Sequence, residues 1–318
     1  ALFKEYNYRK VMTPTVEFFD VFSENDLGIE AEEMYKLSDS LGRTTVLRPD
    51  NTAPIARLVA TRLSKEDFPV KLYYNQNVYV RNKSLAGRAD ETEQSGIEFI
   101  GDGSIDADIE VISMAYEALK RNNVASFKLE LCHAGFFKSI LNKKADICKL
   151  IEGKNYAALG DMLAKFPDSK EADVIKKLPR LFGDVSVINE AKKLYNDEKS
   201  NEALDYLRRV YEKLCDMGLG DNITIDLGLV NRSNYYTGVI FRGYAEGSGL
   251  TIVSGGRYDN LLGEFGLDAP AIGFGVNVNA LCDVMREEIN VDRPIRIALT
   301  KGRLEKSSIS LFQKMGLD

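Results

Sequence analysis

The side chains of this sequence that could bind a small polar molecule are carboxylates, amides and tyrosines. Carboxylates suit an ammonium group or a ring N–H, and a tyrosine hydroxyl can donate or accept a hydrogen bond. Six residues are of the right types for one such site: Asp50, Gln94, Glu98, Tyr235, Tyr236 and Tyr258. A structural role for each remains open, because strand tyrosines often face the core and acids often cap helices or lie on the surface.

The sequence has few residues that could bind a metal ion or act in nucleophilic catalysis. The single histidine, His133, has apolar neighbours that indicate the end of a buried strand. We expect a structural role for it, since a catalytic triad or a histidine-based metal site would need partners that the sequence does not offer. Four cysteines are widely spaced without a CxxC pair, which argues against a zinc site or a disulfide framework. We therefore predict no metal, no cofactor and a reduced, cytoplasmic setting.

Composition narrows the class of protein. The chain has 318 residues, 44% of them hydrophobic, enough for one large domain or two modest ones. A net charge of -6 argues against a nucleic-acid partner, although a local basic face remains possible. No apolar run reaches the roughly 18 residues of a membrane span, so we expect no membrane association.

The elements that would position these residues form an α+β pattern. Alternating apolar and polar residues predict strands at Thr44–Arg48, Lys71–Arg81, Ser95–Ile100 and Ser126–Leu131, with a long polar loop over Asn82–Gln94. Periodicity near 3.6 predicts helices at Asp50–Leu63, Asp106–Lys120, Asp259–Phe265 and Val278–Glu288.

Residues 134–217 differ from the rest, since helical periodicity runs throughout them and predicts a helical insertion. Strand patterns return in ITIDLGL, NYYTGVIFRGY and LTIVSGG. We expect an antiparallel sheet flanked by helices across residues 1–292, interrupted by the insertion. Residues 293–318, after a seam at Asn290–Pro294, read as the opening β-loop-α of a second α/β domain.

Four segments, in order, resemble the histidyl-tRNA synthetase family across about 290 residues. LRPDNTAPIAR (Leu47–Arg57) resembles its LRPEGTA element, and GRADETEQSGIEFIG (Gly87–Gly101) resembles the second half of its motif 2. LVNRSNYYTGVIF (Leu229–Phe241) resembles LVRGLDYYTGTVFE, and SGGRYDNLLGEFGLDAPAIGFGV (Ser254–Val276) resembles GGRYD and the approach to motif 3. The resemblance implies the class II aminoacyl-tRNA synthetase fold and a homodimer through motif 1, near Tyr6–Glu17.

The resemblance also assigns roles to the candidate residues. It implies that Asp50, with Thr52 beside it, meets the α-amino group of a histidine and that Gln94 contacts the same amino acid. Glu98 and Tyr236 would read the imidazole nitrogens, and Tyr235 and Tyr258 would line the pocket.

The pattern breaks at the arginines that activate the amino acid. The motif 2 arginine position is Val80, the motif 3 position is Ala280, and the arginine of the LVRGLDYY signature is Asn231. Arg81 and Arg232 lie one residue out of register, and Arg88 survives as a possible phosphate or anion contact. Removal of one such preorganised charge costs about 10²- to 10³-fold in rate, so we expect no catalytic residues and no adenylation.

Arg293–Asp318 does not resemble the anticodon-binding domain of that family. RPIRIALTKGRLEKSSISLFQKMGLD resembles the start of ATP phosphoribosyltransferase, the first enzyme of histidine biosynthesis. A short β-loop-α cap is the plainer interpretation of this segment alone. Lys301 and Arg303 would face phosphate or substrate only in a full-length domain.

Together these features identify the chain as a member of the family of ATP phosphoribosyltransferase regulatory subunits. The resemblance implies that free histidine is an allosteric ligand, that the catalytic subunit is the partner, and that the chain activates it. Binding of tRNA is not expected. Two alternatives stay open, a histidyl-tRNA synthetase core and a fragment of a bifunctional fusion that catalyses phosphoribosyl transfer when complete.

Overall fold

The structure is a computed structural model that describes residues 1–23, 29–82, 89–124, 126–141, 145–153, 155–164, 170–229, 235–246 and 248–289. Ala1–Met285 form one compact unit, and the chain divides after Met285. The segment expected to open a phosphoribosyltransferase-like domain, 293–318, lies outside the described residues, as does the seam before it.

Twelve strands and eleven α-helices make up the described part of the chain. The strands are β1 (Arg9–Lys10), β2 (Val16–Phe18), β3 (Lys36–Ser38), β4 (Thr44–Leu47), β5 (Val70–Tyr79), β6 (Glu91–Ile100), β7 (Phe127–His133), β8 (Phe182–Gly183), β9 (Ile223–Asp226), β10 (Val239–Ala245), β11 (Val253–Arg257) and β12 (Ala271–Asn277). The helices are α1 (Leu2–Glu5), α2 (Asp20–Ser23), α3 (Thr52–Leu58), α4 (Ile105–Lys120), α5 (Ala134–Leu141), α6 (Ala145–Glu152), α7 (Tyr156–Leu163), α8 (Lys170–Lys177), α9 (Ser186–Leu194), α10 (Glu198–Asp216) and α11 (Val278–Ile289).

The main sheet has nine strands in the order β1-β5-β6-β12-β11-β10-β7-β9-β8. Its centre is antiparallel from β5 to β7, whereas β1 runs parallel to β5 and β9 runs parallel to β7. The predicted α+β fold is confirmed, and the sheet is mixed rather than wholly antiparallel. A second sheet of three strands, β2-β4-β3, lies in the N-terminal region.

The two faces of the main sheet have different neighbours: one packs against α4, and the other carries the candidate site residues of β6. On one face, α4 packs with apolar residues such as Leu119, which lies against Gly243 of β10. The same face buries an ion pair, in which Arg257 of β11 lies 2.6 Å from Asp108 of α4. Residues of the opposite parity point to the other face, where Gln94 and Glu98 project from β6.

The region predicted as a helical insertion contains the helices α5 to α10 and one short strand. Phe182–Gly183 form the short edge strand β8 and pair with β9. The insertion is tied to the rest of the chain by Tyr206 of α10, whose hydroxyl donates to Asp108 Oδ2 at 2.6 Å. No helix in the described residues is both long and apolar enough to cross a membrane.

Three sequence predictions need correction. The polar loop over Asn82–Gln94 is shorter than expected, because β6 begins at Glu91, where exposed polar residues of a hairpin hide the strand pattern. The helix expected at Asp259–Phe265 is a 3₁₀ segment, Leu261–Phe265, that ends at Gly266 in the left-handed region (φ 86°). The helix expected over Asp50–Leu63 begins at Thr52 and continues as a π-helical turn at Val59–Leu63.

Candidate functional site

A buried carboxyl group marks the centre of the candidate site. Glu98 lies on the interior strand β6 and is only 1% exposed. Its Oε1 accepts a hydrogen bond from Thr52 Oγ1 at 2.9 Å, and its Oε2 accepts one from the Tyr258 hydroxyl. The structure therefore brings together the start of α3, the centre of β6 and the residue that follows β11.

Burial controls the protonation of this carboxyl. It raises the pKa of Glu98 to about 8, against the hydrogen bonds from Tyr258 and Thr52 that lower it. The charge of Asp50 adds to the increase. At neutral pH the carboxyl group is therefore mostly protonated, and a ligand cation or N–H donor would favour its ionised form.

Asp50 lies beside this centre but is already engaged by the backbone. Its Oδ1 accepts a hydrogen bond from the Ala53 backbone N–H at 3.0 Å, as an acid at a helix N-terminus does. Burial raises the pKa of Asp50, and the backbone N–H groups of Ala53, Thr52 and Asn51 oppose this increase. Asp50 therefore organises the start of α3 and also adds negative charge to the pocket.

Three tyrosines form a wall over the carboxyl group. The rings of Tyr235 and Tyr236 stack with centroids 4.4 Å apart, and Tyr235 meets the edge of Tyr258 at 5.7 Å. Burial raises the pKa of Tyr236 to about 12, so these hydroxyls stay protonated. Lys138 of α5 holds the wall from behind, because its Nζ donates to the Tyr236 carbonyl oxygen at 2.7 Å.

Glycines form the floor of the site. Gly273 and Gly275 of β12 pair with Glu98 and Gly96 of β6. A Cβ atom at Gly273 would collide with Glu98 Oε2, and one at Gly275 would lie 2.9 Å from Gln94 Nε2. The absence of a side chain at Gly273 and at Gly275 therefore makes room for Glu98 and Gln94 of β6.

Gln94 completes the described part of the site. Its Oε1 accepts hydrogen bonds from Asn51 Nδ2 at 2.9 Å and from the Tyr74 hydroxyl at 3.3 Å. The structure thus brings all seven predicted histidine-contacting residues into one region.

The positions where the related family has arginines carry no charge in the described residues. Val80 follows the end of β5, and Ala280 is a buried residue of α11. Arg81 is exposed. Hydrogen bonds from the Tyr35 hydroxyl and from Asn82 lower the pKa of Asp90, and the charge of Arg81 lowers it further. Arg88, Asn231 and Arg232 lie outside the described residues.

Three contributors to the site were missed from the sequence. Asn51 and Tyr74 bond Gln94, and Arg242 lies near enough to Tyr236 to lower its pKa against burial. The period-2 glycines of AIGFGVN were the available signal for the floor. Asn51 and Arg242 occupy positions where the quoted family elements have glycine and glutamate, so the resemblance directed attention away from them.

Within the described part of the chain, no lysine or arginine donates a hydrogen bond to Asp50, Gln94 or Glu98. Acids, amides and hydroxyls supply the polar groups of the site. Such a site suits a small ligand with cationic or N–H groups.

Comparisons with known proteins find relatives along most of the chain. The model of the histidyl-tRNA synthetase family matches residues 1–281. An ATP phosphoribosyltransferase regulatory subunit of Clostridium novyi (strain NT) is 44% identical over 303 residues, which cover 91% of this chain and 72% of that protein.

Two solved structures have the same fold. The first, from Bacillus halodurans C, is described as an ATP phosphoribosyltransferase regulatory subunit/histidyl-tRNA synthetase; it has a TM-score of 0.82 and 34% identity, and the match covers 99% of this chain and 83% of that one. The second, a histidine–tRNA ligase subunit from Alicyclobacillus acidocaldarius, has a TM-score of 0.78 and 27% identity, with 91% of each chain covered.

Proposed function

Because this chain belongs to the family of ATP phosphoribosyltransferase regulatory subunits, we propose that its pocket binds free histidine and passes that signal to a catalytic partner. The chain is a regulatory subunit in histidine biosynthesis and not itself an enzyme. The histidine ligand, the activation of a catalytic subunit and a homodimer are parts of the proposal.

The observation that carries the proposal is the Glu98 carboxyl group, buried between Thr52 and Tyr258 beneath the tyrosine wall. An imidazole N–H or an ammonium group bonds well to an ionised carboxylate in such surroundings. Gln94 and Asp50 lie at the same site and could bind the amino-acid end of the ligand.

Burial of Glu98 also supplies a route to regulation. Since this side chain is 1% exposed, a ligand that bonds it must displace a hydroxyl or move the tyrosine wall. Tyr258 follows Arg257, which is anchored to α4 through Asp108, and Lys138 links the wall to the insertion. A ligand that prefers the rearranged pocket would shift the population of the whole subunit.

Reconstitution with a short-form catalytic subunit tests this function. We expect phosphoribosyl transfer to increase when the chain is added and to be inhibited by histidine. Glu98→Gln should weaken the inhibition, whereas Glu93→Gln, an exposed glutamate of the same strand, should not. Equal inhibition of the catalytic subunit alone, or inhibition unchanged by Glu98→Gln, would contradict the proposal.

The likeness to a histidine–tRNA ligase subunit makes amino-acid activation the second candidate function. Histidine-dependent ATP–pyrophosphate exchange separates the two functions. The uncharged residues Val80 and Ala280 at the arginine positions favour a result at background level. Exchange clearly above background would establish the enzyme instead.

A further inference from the structure

Asn51 is a buried polar residue at a position where the related family has glycine. It follows Asp50 and precedes the first turn of α3, and its side chain is 0% exposed. The side chain makes no capping hydrogen bond to the helix. Its role therefore lies elsewhere, in the contact with Gln94.

That contact fixes the orientation of an amide. Gln94 Oε1 accepts from Asn51 Nδ2 at 2.9 Å and from the hydroxyl of Tyr74, which is 2% exposed. If the Gln94 amide were rotated by 180°, its NH₂ group would face the NH₂ group of Asn51. In the arrangement that the structure shows, Asn51 Nδ2 and the Tyr74 hydroxyl both face the oxygen of Gln94.

The other end of the same amide is free to bind. Gln94 Nε2 has no hydrogen-bond partner among the described residues, and it lies over Gly275, where the floor has no side chain. Gln94 itself is only partly buried. An unpaired donor at this place can bond an acceptor of a ligand, such as a carboxylate.

The side chain of Asn51 also destabilises the fold. Its Oδ1 is buried and has no partner in the part of the chain that the structure describes. A buried acceptor without a partner is destabilising, which is unusual unless the residue serves a function. The bond from its Nδ2 to Gln94 supplies that function.

We infer that Asn51, with Tyr74, is a positioning residue that turns the donor end of Gln94 toward the carboxylate of a bound amino acid. The pocket therefore selects an imidazole ligand that has a carboxylate over one that lacks it. This inference rests on the proposed function, since it concerns how the same pocket recognises histidine.

Titration calorimetry with histidine and histamine tests the inference, because histamine keeps the ring and the ammonium group but lacks the carboxylate. Wild-type protein should bind histidine roughly tenfold to a hundredfold more tightly than histamine, the range of a hydrogen bond to a charged group. Asn51→Gly and Tyr74→Phe should each reduce this ratio at least about fivefold, with histamine affinity nearly unchanged. Glycine is well tolerated at a helix N-cap.

Asn75→Ala serves as the control, since Asn75 is exposed on the opposite face of β5. Its histidine-to-histamine ratio should equal that of the wild type. Equal loss of both ligands in Asn51→Gly and Tyr74→Phe would show a merely structural role and overturn the inference, as would a wild type without selectivity. If the wild type bound neither ligand, the proposed function itself would fail.

Discussion

The hydroxyl of Thr52 lies 2.9 Å from Oε1 of Glu98, and this bond joins the first residue of α3 to an interior strand of the sheet. The Tyr258 hydroxyl bonds the other oxygen of the same carboxyl group. Segments separated by 46 and 160 residues therefore meet at one buried acid. A group buried in this way is costly to ionise.

Histidine affinity should depend on pH through Glu98. Burial raises the pKa of Glu98 to about 8, so below pH 8 a ligand that bonds the ionised carboxylate must first expel a proton. For a ligand whose imidazole stays neutral, affinity should rise by up to about tenfold per pH unit between about pH 6.5, the usual pKa of an imidazole, and pH 8, and then level off. Calorimetry at pH 7 in two buffers of different ionisation enthalpy should show release of close to one proton. A pH-independent affinity without proton release would contradict this prediction.

The same carboxyl group should make folding stability fall as pH rises. The pKa of Glu98 is near 4.5 when unfolded and about 8 when folded, so between these values the native state binds more protons than the unfolded state. The contribution to stability falls by up to about 1.4 kcal/mol per pH unit across that window. Glu98→Gln should remove this decline in urea unfolding, and Glu93→Gln should retain it. An unchanged slope in Glu98→Gln would show that the carboxyl ionises freely.

The buried pair of Arg257 and Asp108 should be essential to stability. Its two side chains are 5% and 0% exposed and lie 2.6 Å apart. Asp108→Asn leaves the guanidinium with only the less buried Asp259, 3.1 Å away, as a counter-charge, and should cost about 3–5 kcal/mol of unfolding free energy. Asp106→Asn, on the same helix, breaks only an exposed bond to Lys213 and should change stability by less than about 1 kcal/mol. Similar urea midpoints for the two variants would contradict this account.

Parts of this fold could be predicted from sequence because local patterns decided them. The amphipathic α4 and the alternating β5 followed from periodicity. The strand β12 was not predicted, since Gly273 and Gly275 remove the alternation that marks a strand. Its identity as a strand depends on pairing with β6 and β11, which is a tertiary property.

The site was predictable where the chain follows the related family and not where it departs from it. Glu98 and Tyr258 were assigned to one pocket, and the structure places them in contact. Asn51 was missed because nothing local marks a buried amide as a partner of Gln94, which lies 43 residues away. The hydrogen bond from the Ala53 backbone N–H to Asp50 was foreseen only in the alternative interpretation, in which the acids cap helices.

Lys138 should support ligand binding from the insertion. Its Nζ donates to the Tyr236 carbonyl oxygen at 2.7 Å and so holds the tyrosine wall. Lys138→Met should weaken histidine binding about threefold to tenfold, the size expected for one partly exposed charge-assisted bond. Lys192→Met breaks an exposed ion pair with Asp205 in the same insertion and should leave the affinity unchanged. Equal histidine affinities for both variants in calorimetry would contradict a role of the insertion in ligand binding.

The most direct test of the central claim is calorimetric titration of the purified chain with free histidine. Saturable binding is predicted at millimolar histidine or below, with one site per chain. Glu98→Ala should abolish it, and Tyr236→Phe should weaken it, because these residues are proposed to contact the imidazole. Absence of binding by the folded wild-type protein at millimolar histidine would contradict the account and leave the chain without a sensing role.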